Sequence, residues 1–339
     1  MTISSTLRTD PPAPTAMWKT GWFSAGWKLI VLVAIAACAP LVLGSFGMRV
    51  ANLGLIMGVS AMALTVLLGH AGLLSLGHAA FMAIGAFTAG VLATNYAVGF
   101  LPSLLAAGFA GAIVGVAVAL VTVRAYGLYL AIGTFALQYV VELLLTDVEV
   151  KLTYAVGMIM PIPSIFGFEL DSDTRWWFFN LTCALIIYLG IRWILSGHIA
   201  RAWISSRDNP TVTTTLGISL LRCRVSVFAL TSFVAGLAGA LHGYYGSIVQ
   251  ITNYPLHLSI VYVTIVVLGG LGNMLGAVAA AYVILLLPHM LEKLLAVFGV
   301  DVMSGGTAME GIALGTVLVL ALLKAPQQTI ARLRRLVNV

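Results

Sequence analysis

Apolar runs long enough to cross a membrane succeed one another along almost the whole chain, and no other feature limits its fold as strictly. In lipid every backbone N–H and C=O must be paired internally, so only helices and closed barrels can span. A helix needs roughly 20 apolar residues to cross a hydrocarbon core of about 30 Å. Runs of that order occupy 29–43, 50–68, 73–93, 101–123, 127–145, 176–195, 225–248, 258–268, 277–295 and 312–323. The expected fold is therefore an all-α polytopic membrane protein of about ten transmembrane helices. The run at 258–268 is short, and 269–276 is expected to continue it as a broken helix. Composition argues against the soluble alternatives: 61% of the 339 residues are hydrophobic and 8% are charged, which would leave a globular domain insoluble. The net charge of +6 then reflects loops facing one side of a bilayer, and no nucleic-acid partner is expected. Cys38, Cys183 and Cys223 have no metal or redox spacing and read as small apolar residues.

Charge sets the expected orientation, because Lys and Arg are retained on the cytoplasmic side. The segment 192–224 carries Arg192, Arg201, Arg207, Arg222 and Arg224 against Asp208 alone, and is placed inside. In 146–175 the acids Asp147, Glu149, Glu169, Asp171 and Asp173 outnumber Lys151 and Arg175, and that segment is placed outside. Ten spans starting inside satisfy both placements. They also put the region of Asp301 and Glu310 outside, and the tail with Lys324, Arg332, Arg334 and Arg335 inside, so that both termini are cytoplasmic. Arg49, on the outer side, is the one awkward basic residue. The expected organisation is a disordered tail over 1–28, a transmembrane domain over 29–325 and a basic tail over 326–339. The run at 29–43 could pass for a signal peptide, but the chain continues apolar beyond it, and an uncleaved first span is the better reading.

The basic segment is built like a docking element. Asn209-Pro210 starts a helix, with Asn as cap and Pro at the first helical position, and Gly217 stops it. Trp203, Ile204, Val212 and Leu216 are expected to offer apolar contact surface beside the arginines. A solvated loop facing lipid headgroups is the plainer alternative.

Two stretches rich in small residues, GHAGLLSLGHAAFMAIG at 69–85 and GGLGNMLGAVAAA at 269–281, fall in the two halves of the chain. Glycine allows a helix to break where the freed backbone is buried or lines a cavity, and small residues allow close packing. The pair is expected to form broken or short helices near the midplane of two pseudo-repeated halves. Ordinary small-residue packing explains either stretch alone. The candidate substrate path takes in Ser75 and His78 from the first stretch, Asn273 from the second, and Gln138 and Glu142, which share one face of a span. A carboxylate at membrane depth costs about 2.5–3.5 kcal/mol on insertion scales, so Glu142 faces the protein, water or an outer vestibule. His78 reads as a hydrogen-bonded packing residue ahead of a proton relay.

The chain has no Gly-Lys pair and hence no phosphate loop, no His, Cys or acidic cluster with metal spacing, and no Gly-x-Ser-x-Gly elbow. An enzyme is not expected. Transport remains, energised by a partner or by an ion gradient.

Three stretches together resemble the branched-chain amino acid ABC transporter permeases of the Liv type: GHAGLLSLGHAAFMAIGAFTAG at 69–90, ARAWISSRDNPTVTTTLGIS at 200–219, and FVAGLAGALHGYY followed by VVLGGLGNMLGAVAAA within 233–281. The resemblance covers roughly 51–326. It implies a permease subunit of an importer in the bacterial inner membrane, paired with a second permease subunit. It further implies a periplasmic solute-binding protein and two cytoplasmic ATPase subunits that dock on 192–224 and bind the ATP and magnesium; no cofactor is implied in this chain. Arg207, Asp208, Asn209 and Gly217 match the family's coupling loop, with Arg201 beside them. After Asn209 the family usually carries an acid and alanines, where this chain has Pro210-Thr211-Val212-Thr213-Thr214-Thr215. In the outer loop only Gly157, Pro161, Pro163 and Gly167 remain of an expected glycine-rich motif and proline pair. The substrate stays open among branched-chain amino acids, urea and short amides. An ion-coupled secondary transporter or channel would also account for the spans, but not for the arginine-aspartate-asparagine loop.

Overall fold

The computed structural model describes residues 33–123, 125, 127–154, 156–165 and 167–297. The expected tail 1–28, the start of the first span, the acidic region at Asp301 and Glu310, the span 312–323 and the basic C-terminal tail lie outside the described residues. The chain divides into two units, 1–43 and 44–339. In the first, a short helix runs Ala39–Val42 with Pro40 in its opening turn.

The second unit contains α1 (Ser45–Gly69), α2 (His78–Asn95), α3 (Phe100–Val121), α4 (Leu128–Thr153), α5 (Asp173–Ser196), α6 (His198–Asp208), α7 (Pro210–Thr215), α8 (Leu220–Tyr245), α9 (Leu256–Gly269) and α10 (Met274–Val297). Four two-residue strands, β1 (Met158–Ile159), β2 (Ser164–Ile165), β3 (Phe168–Glu169) and β4 (Ile248–Val249), form two antiparallel pairs, β1 with β4 and β2 with β3. Among the described residues, seven helical segments are long and apolar enough to cross a membrane: α1 to α5, α8, and Ile251–Gly269, which includes α9. A shorter apolar stretch, Met274–Pro288, opens α10.

The most apolar window of α1 is 89% buried against 22% for α5, which makes α1 the centre of the bundle and α5 a peripheral helix. α10 and α8 pack beside α1, α2 packs on α8, and α3 lies against both α2 and α8. Glycine permits that closeness. A Cβ at Gly85 would fall on the backbone of Gly236, one at Gly239 on the backbone of Met82, and one at Gly115 on Ser232. Without a hydrophobic drive between helices in lipid, such backbone approach is the main source of van der Waals contact.

Four boundaries differ from the sequence expectation by five residues or more, the first being α1, which begins at Ser45 and not at 50. The span expected at 73–93 starts at His78, because 70–77 is an irregular segment with Gly72 at φ +70°. α4 continues to Thr153, past the expected end at 145. An Asp147–Lys151 pair at 2.6 Å supports its extra turns, and Lys151 in the last turn suits the helix dipole. α8 begins at Leu220, so Arg222 and Arg224 belong to a spanning helix and the basic loop shortens to 197–219. Arg224 is buried, and its Nη1 donates to the carbonyls of Thr122, Val123 and Ala125, closing the end of α3.

The contacts define two ends of the bundle. At one, α1 and α3 finish beside α6 and the start of α8. At the other, α1 and α5 begin beside the end of α8, where Asn52 Nδ2 donates to Asp173 O at 2.9 Å and Tyr245 Oη to Asp173 Oδ1 at 2.9 Å. Arg49, awkward in the sequence, lies there with Nε 3.9 Å from Asp173 Oδ2.

Candidate functional site

The break between α1 and α2 exposes backbone donors in the interior, and side chains from other helices answer them. Leu76 N donates to Thr134 Oγ1 of α4 at 2.9 Å, and Ala79 N to Ser259 Oγ of α9 at 3.0 Å. These are the orphan amides around a helix start, which must find partners when buried. Ser259 Oγ donates to Gln138 Oε1 at 3.4 Å, and Gln138 Nε2 donates to Tyr254 O at 3.1 Å. His78, the first residue of α2, places Nε2 at 2.8 Å from Ser60 Oγ and 3.1 Å from Ser60 O. Since the carbonyl only accepts, Nε2 carries the proton, and the Ser60 hydroxyl is free to donate to Met82 Sδ at 3.1 Å. Tyr262 meets the imidazole edge-on at 5.2 Å. Ser75, fully buried, accepts from Gly77 N at 3.4 Å within the break.

Ser75, His78 and Gln138 are thus gathered into one buried polar node between α1, α2, α4 and α9. Glu142 lies one turn beyond Gln138 on α4 and is half-buried. Asn273 is elsewhere: it is exposed, and its Oδ1 accepts from Gly276 N at 3.1 Å as the cap of α10. The node also uses Ser60, Thr134, Tyr254, Ser259 and Tyr262, none of which the sequence analysis picked out. Their signal was weak, single hydroxyls inside apolar runs, although Thr134 and Gln138 do share an i, i+4 face. Glu149, placed in an outer loop by its charge, is buried on α4, where its Oε2 accepts from Ile251 N at 2.8 Å.

The second break, between α9 and α10, is a tight turn with Gly270 at φ +90° and Gly272 at φ +87°. It touches the first. A Cβ on Gly69 would strike the backbone amide of Gly272, so the end of α1 and this turn pack without side chains between them. Onto the same point comes Arg207, whose Nη1 donates to the Gly69 carbonyl.

Arg207 belongs to the α6–α7 hairpin, whose geometry follows its local sequence. Asn209 Oδ1 accepts from Val212 N at 3.1 Å, and Pro210 occupies the first turn of α7. Gly217, at φ +79°, ends it with Gly217 N on Thr214 O at 3.0 Å and Ile218 N on Thr213 O at 3.2 Å. That pair of bonds is a Schellman closure, which needs the left-handed residue glycine supplies. Ser205 and Thr213 hydroxyls meet at 2.7 Å across the hairpin. Trp203 does not offer contact surface, contrary to expectation. It is 1% exposed, its Nε1 donating to Ser226 Oγ of α8 at 2.9 Å, so it is the anchor of α6. Val212 and Leu216 are exposed, at 49% and 69%, and Ile204 is half-buried. Arg201 and Asp208 are exposed, and Asp208 Oδ1 pairs with Arg207 Nη2 at 2.9 Å. Among the described residues no group of three His, Cys, Asp or Glu could hold a metal ion.

Comparison with known proteins bears on both regions. The family described as the permease component of branched-chain amino acid transport systems matches residues 46–322, a range containing the node, both breaks and the hairpin. The high-affinity branched-chain amino acid transport system permease protein LivM of Salmonella typhimurium is 29% identical over 278 residues, and that of Escherichia coli 28% identical over 278 residues. Each match covers 75% of this chain and 65% of the relative, so the chain spans just under two thirds of the length of these curated relatives. No solved structure gives a significant match. With its apolar helices and a family match across most of its length, the chain is an integral membrane protein that belongs to the family of branched-chain amino acid transport system permease components.

Proposed function

We propose that this chain is a permease subunit of a bacterial inner-membrane importer for branched-chain amino acids, driven by ATP hydrolysis in separate subunits. The observation that carries the reading is the α6–α7 hairpin. It is capped at both ends of α7, anchored through Trp203, and presents Val212 and Leu216 beside Arg201 and Asp208. A rigid element with an apolar tip and mixed charge is suited to transmit force from a docked partner, and interface charges fix its orientation.

In this reading two ATPase subunits hold ATP and magnesium and dock at the hairpin on the cytoplasmic side. A solute-binding protein approaches the opposite end, where Asp171, Asp173 and Glu169 cluster. A second permease subunit completes the path. The full chain has about ten spans, with both termini cytoplasmic and two pseudo-repeated halves meeting at the two helix breaks. Ser75, His78 and Gln138 act as the polar floor of the substrate path, and Glu142, half-buried one turn beyond Gln138, is the group placed to meet a substrate ammonium. Asn273 serves the path indirectly, through the turn it caps.

The test is retention of the ATPase subunits when a tagged chain is purified in mild detergent. Wild type keeps them, and the double variant Val212→Asp with Leu216→Asp releases them while inserting normally. A wild-type chain that enters membranes and carries solute without any ATPase subunit returns the protein to ion-coupled transport. Uptake of urea or acetamide with no uptake of leucine moves the substrate within the family.

A further inference from the structure

We propose that Arg207 is a coupling strut: a positioning residue that carries movement of the α6–α7 hairpin directly into the α1–α2 break. The proposal rests on the reading of the hairpin as a dock. The Arg207 guanidinium is held on both sides. Its Nε donates to Asp208 Oδ1 at 2.9 Å and its Nη2 lies 2.9 Å from the same oxygen, while Nη1 donates to Gly69 O. A planar guanidinium pinned at three nitrogens transmits direction as well as charge, which a single ammonium does not.

The accepting carbonyl is the last of α1, one of the orphan acceptors at the negative end of the helix dipole. Gly69 is also where α1 meets the α9–α10 turn, with no side chain between. Beyond it the chain enters 70–77, whose far end is pinned to α4 through Leu76 N and to α1 through His78. A displacement of Arg207 therefore acts on one end of a segment whose other end is the polar node. Two comparisons separate this from ordinary helix closure. Arg224 closes α3 in the same chemical way, but it does so from a spanning helix and not from the hairpin. Arg201 and Arg222 carry the same charge in the same region and point to solvent, whereas the Arg207 side chain is 22% exposed.

The test uses the complete transporter in proteoliposomes, with its ATPase subunits and binding protein, and leucine as the probe. For Arg207→Ala we expect the ATPases to remain bound and to hydrolyse ATP at no less than about half the wild-type rate, while leucine taken up per ATP falls about tenfold, the scale of one lost charge-assisted hydrogen bond acting on the coupled step. Arg207→Lys, which can still reach one acceptor, restores part of the ratio. Arg222→Ala leaves the ratio unchanged. Hydrogen exchange gives a readout free of the substrate: vanadate trapping of nucleotide alters exchange over 70–77 in wild type and not in Arg207→Ala. Uptake and hydrolysis falling in step, an equal loss in Arg222→Ala, or a preserved exchange response at 70–77 each overturns the strut. Failure of the dock itself is distinguishable, because the wild-type chain would then not retain the ATPases.

Discussion

The two helix breaks meet at Gly69 and Gly272, yet they differ in how far their closure is local. The first, 70–77, runs through the interior; beside local bonds such as Leu73 N to Leu67 O and Gly77 N to Ser75 Oγ, its Leu76 N and the Ala79 N of the following helix start are answered by Thr134 and Ser259 from helices far away in sequence. The second is closed locally, by two positive-φ glycines and by Asn273 capping the helix that follows it. A break closed by its own residues keeps its shape when neighbouring helices move. A break closed by its neighbours changes shape with them. The first is therefore the break whose shape depends on α4 and α9, and the second the one whose shape is set by its own residues.

The largest expected effect comes from the point both breaks share. Gly69→Val drives a branched side chain into the Gly272 backbone, where no flexible neighbour can yield, and should cost about 3 kcal/mol, near the top of the overpacking range. The midpoint of heat-induced aggregation in detergent reads it, and a wild-type midpoint would dissolve the contact. Next comes the first break alone. Thr134→Val preserves shape but leaves Leu76 N without its acceptor, at about 1–3 kcal/mol, and Ser259→Ala does the same to Ala79 N. Because the two hydroxyls hold amides only three residues apart, Leu76 N and Ala79 N, the double variant should differ from the sum of the singles, as a double-mutant cycle would record. Asn273→Ala should cost less, about 1 kcal/mol, as an exposed cap with water available to the freed amide. If Asn273→Ala matched or exceeded Thr134→Val, the distinction between the breaks would fail. The smallest effect is expected far from either: Arg49→Ala removes a long, exposed pair with Asp173 worth about 0–1 kcal/mol.

What could be read from sequence follows the same division between local and distant causes. Asn209, Pro210 and Gly217 were legible because capping chemistry lies within a few residues of the helix end it serves, and Arg207 and Asp208 because charge stands out in so apolar a chain. The first break was legible only as a glycine-rich stretch. Leu73, Leu74 and Leu76 keep its hydropathy high, so the span was expected to begin there, five residues before His78. Charge misplaced Glu149, since a carboxylate reads as solvent-facing unless the backbone amide from which it accepts, Ile251 N, is known. Trp203 beside arginines has the composition of a contact surface, and its partner Ser226, on the spanning helix α8, turns it into an anchor. Ser60 and Ser259 were invisible for the same reason: a lone hydroxyl in an apolar run has meaning through the group that it meets.

Orientation can be settled by thiol labelling in a background lacking the native cysteines. Thr214→Cys on α7 should resist a membrane-impermeant reagent applied from the periplasmic side, and Asp171→Cys should react. The reverse pattern would place the hairpin away from any cytoplasmic ATPase.

The central claim, that an ATPase docked on the hairpin drives solute past the node, is met most directly by transport itself. Proteoliposomes carrying the chain, its second permease and ATPase subunits, and an external binding protein should accumulate leucine when ATP is enclosed. They should stop when ATP is omitted, or when Val212→Asp with Leu216→Asp releases the ATPases. Leucine accumulation that persists without ATP, or that survives loss of the ATPases, would contradict the account.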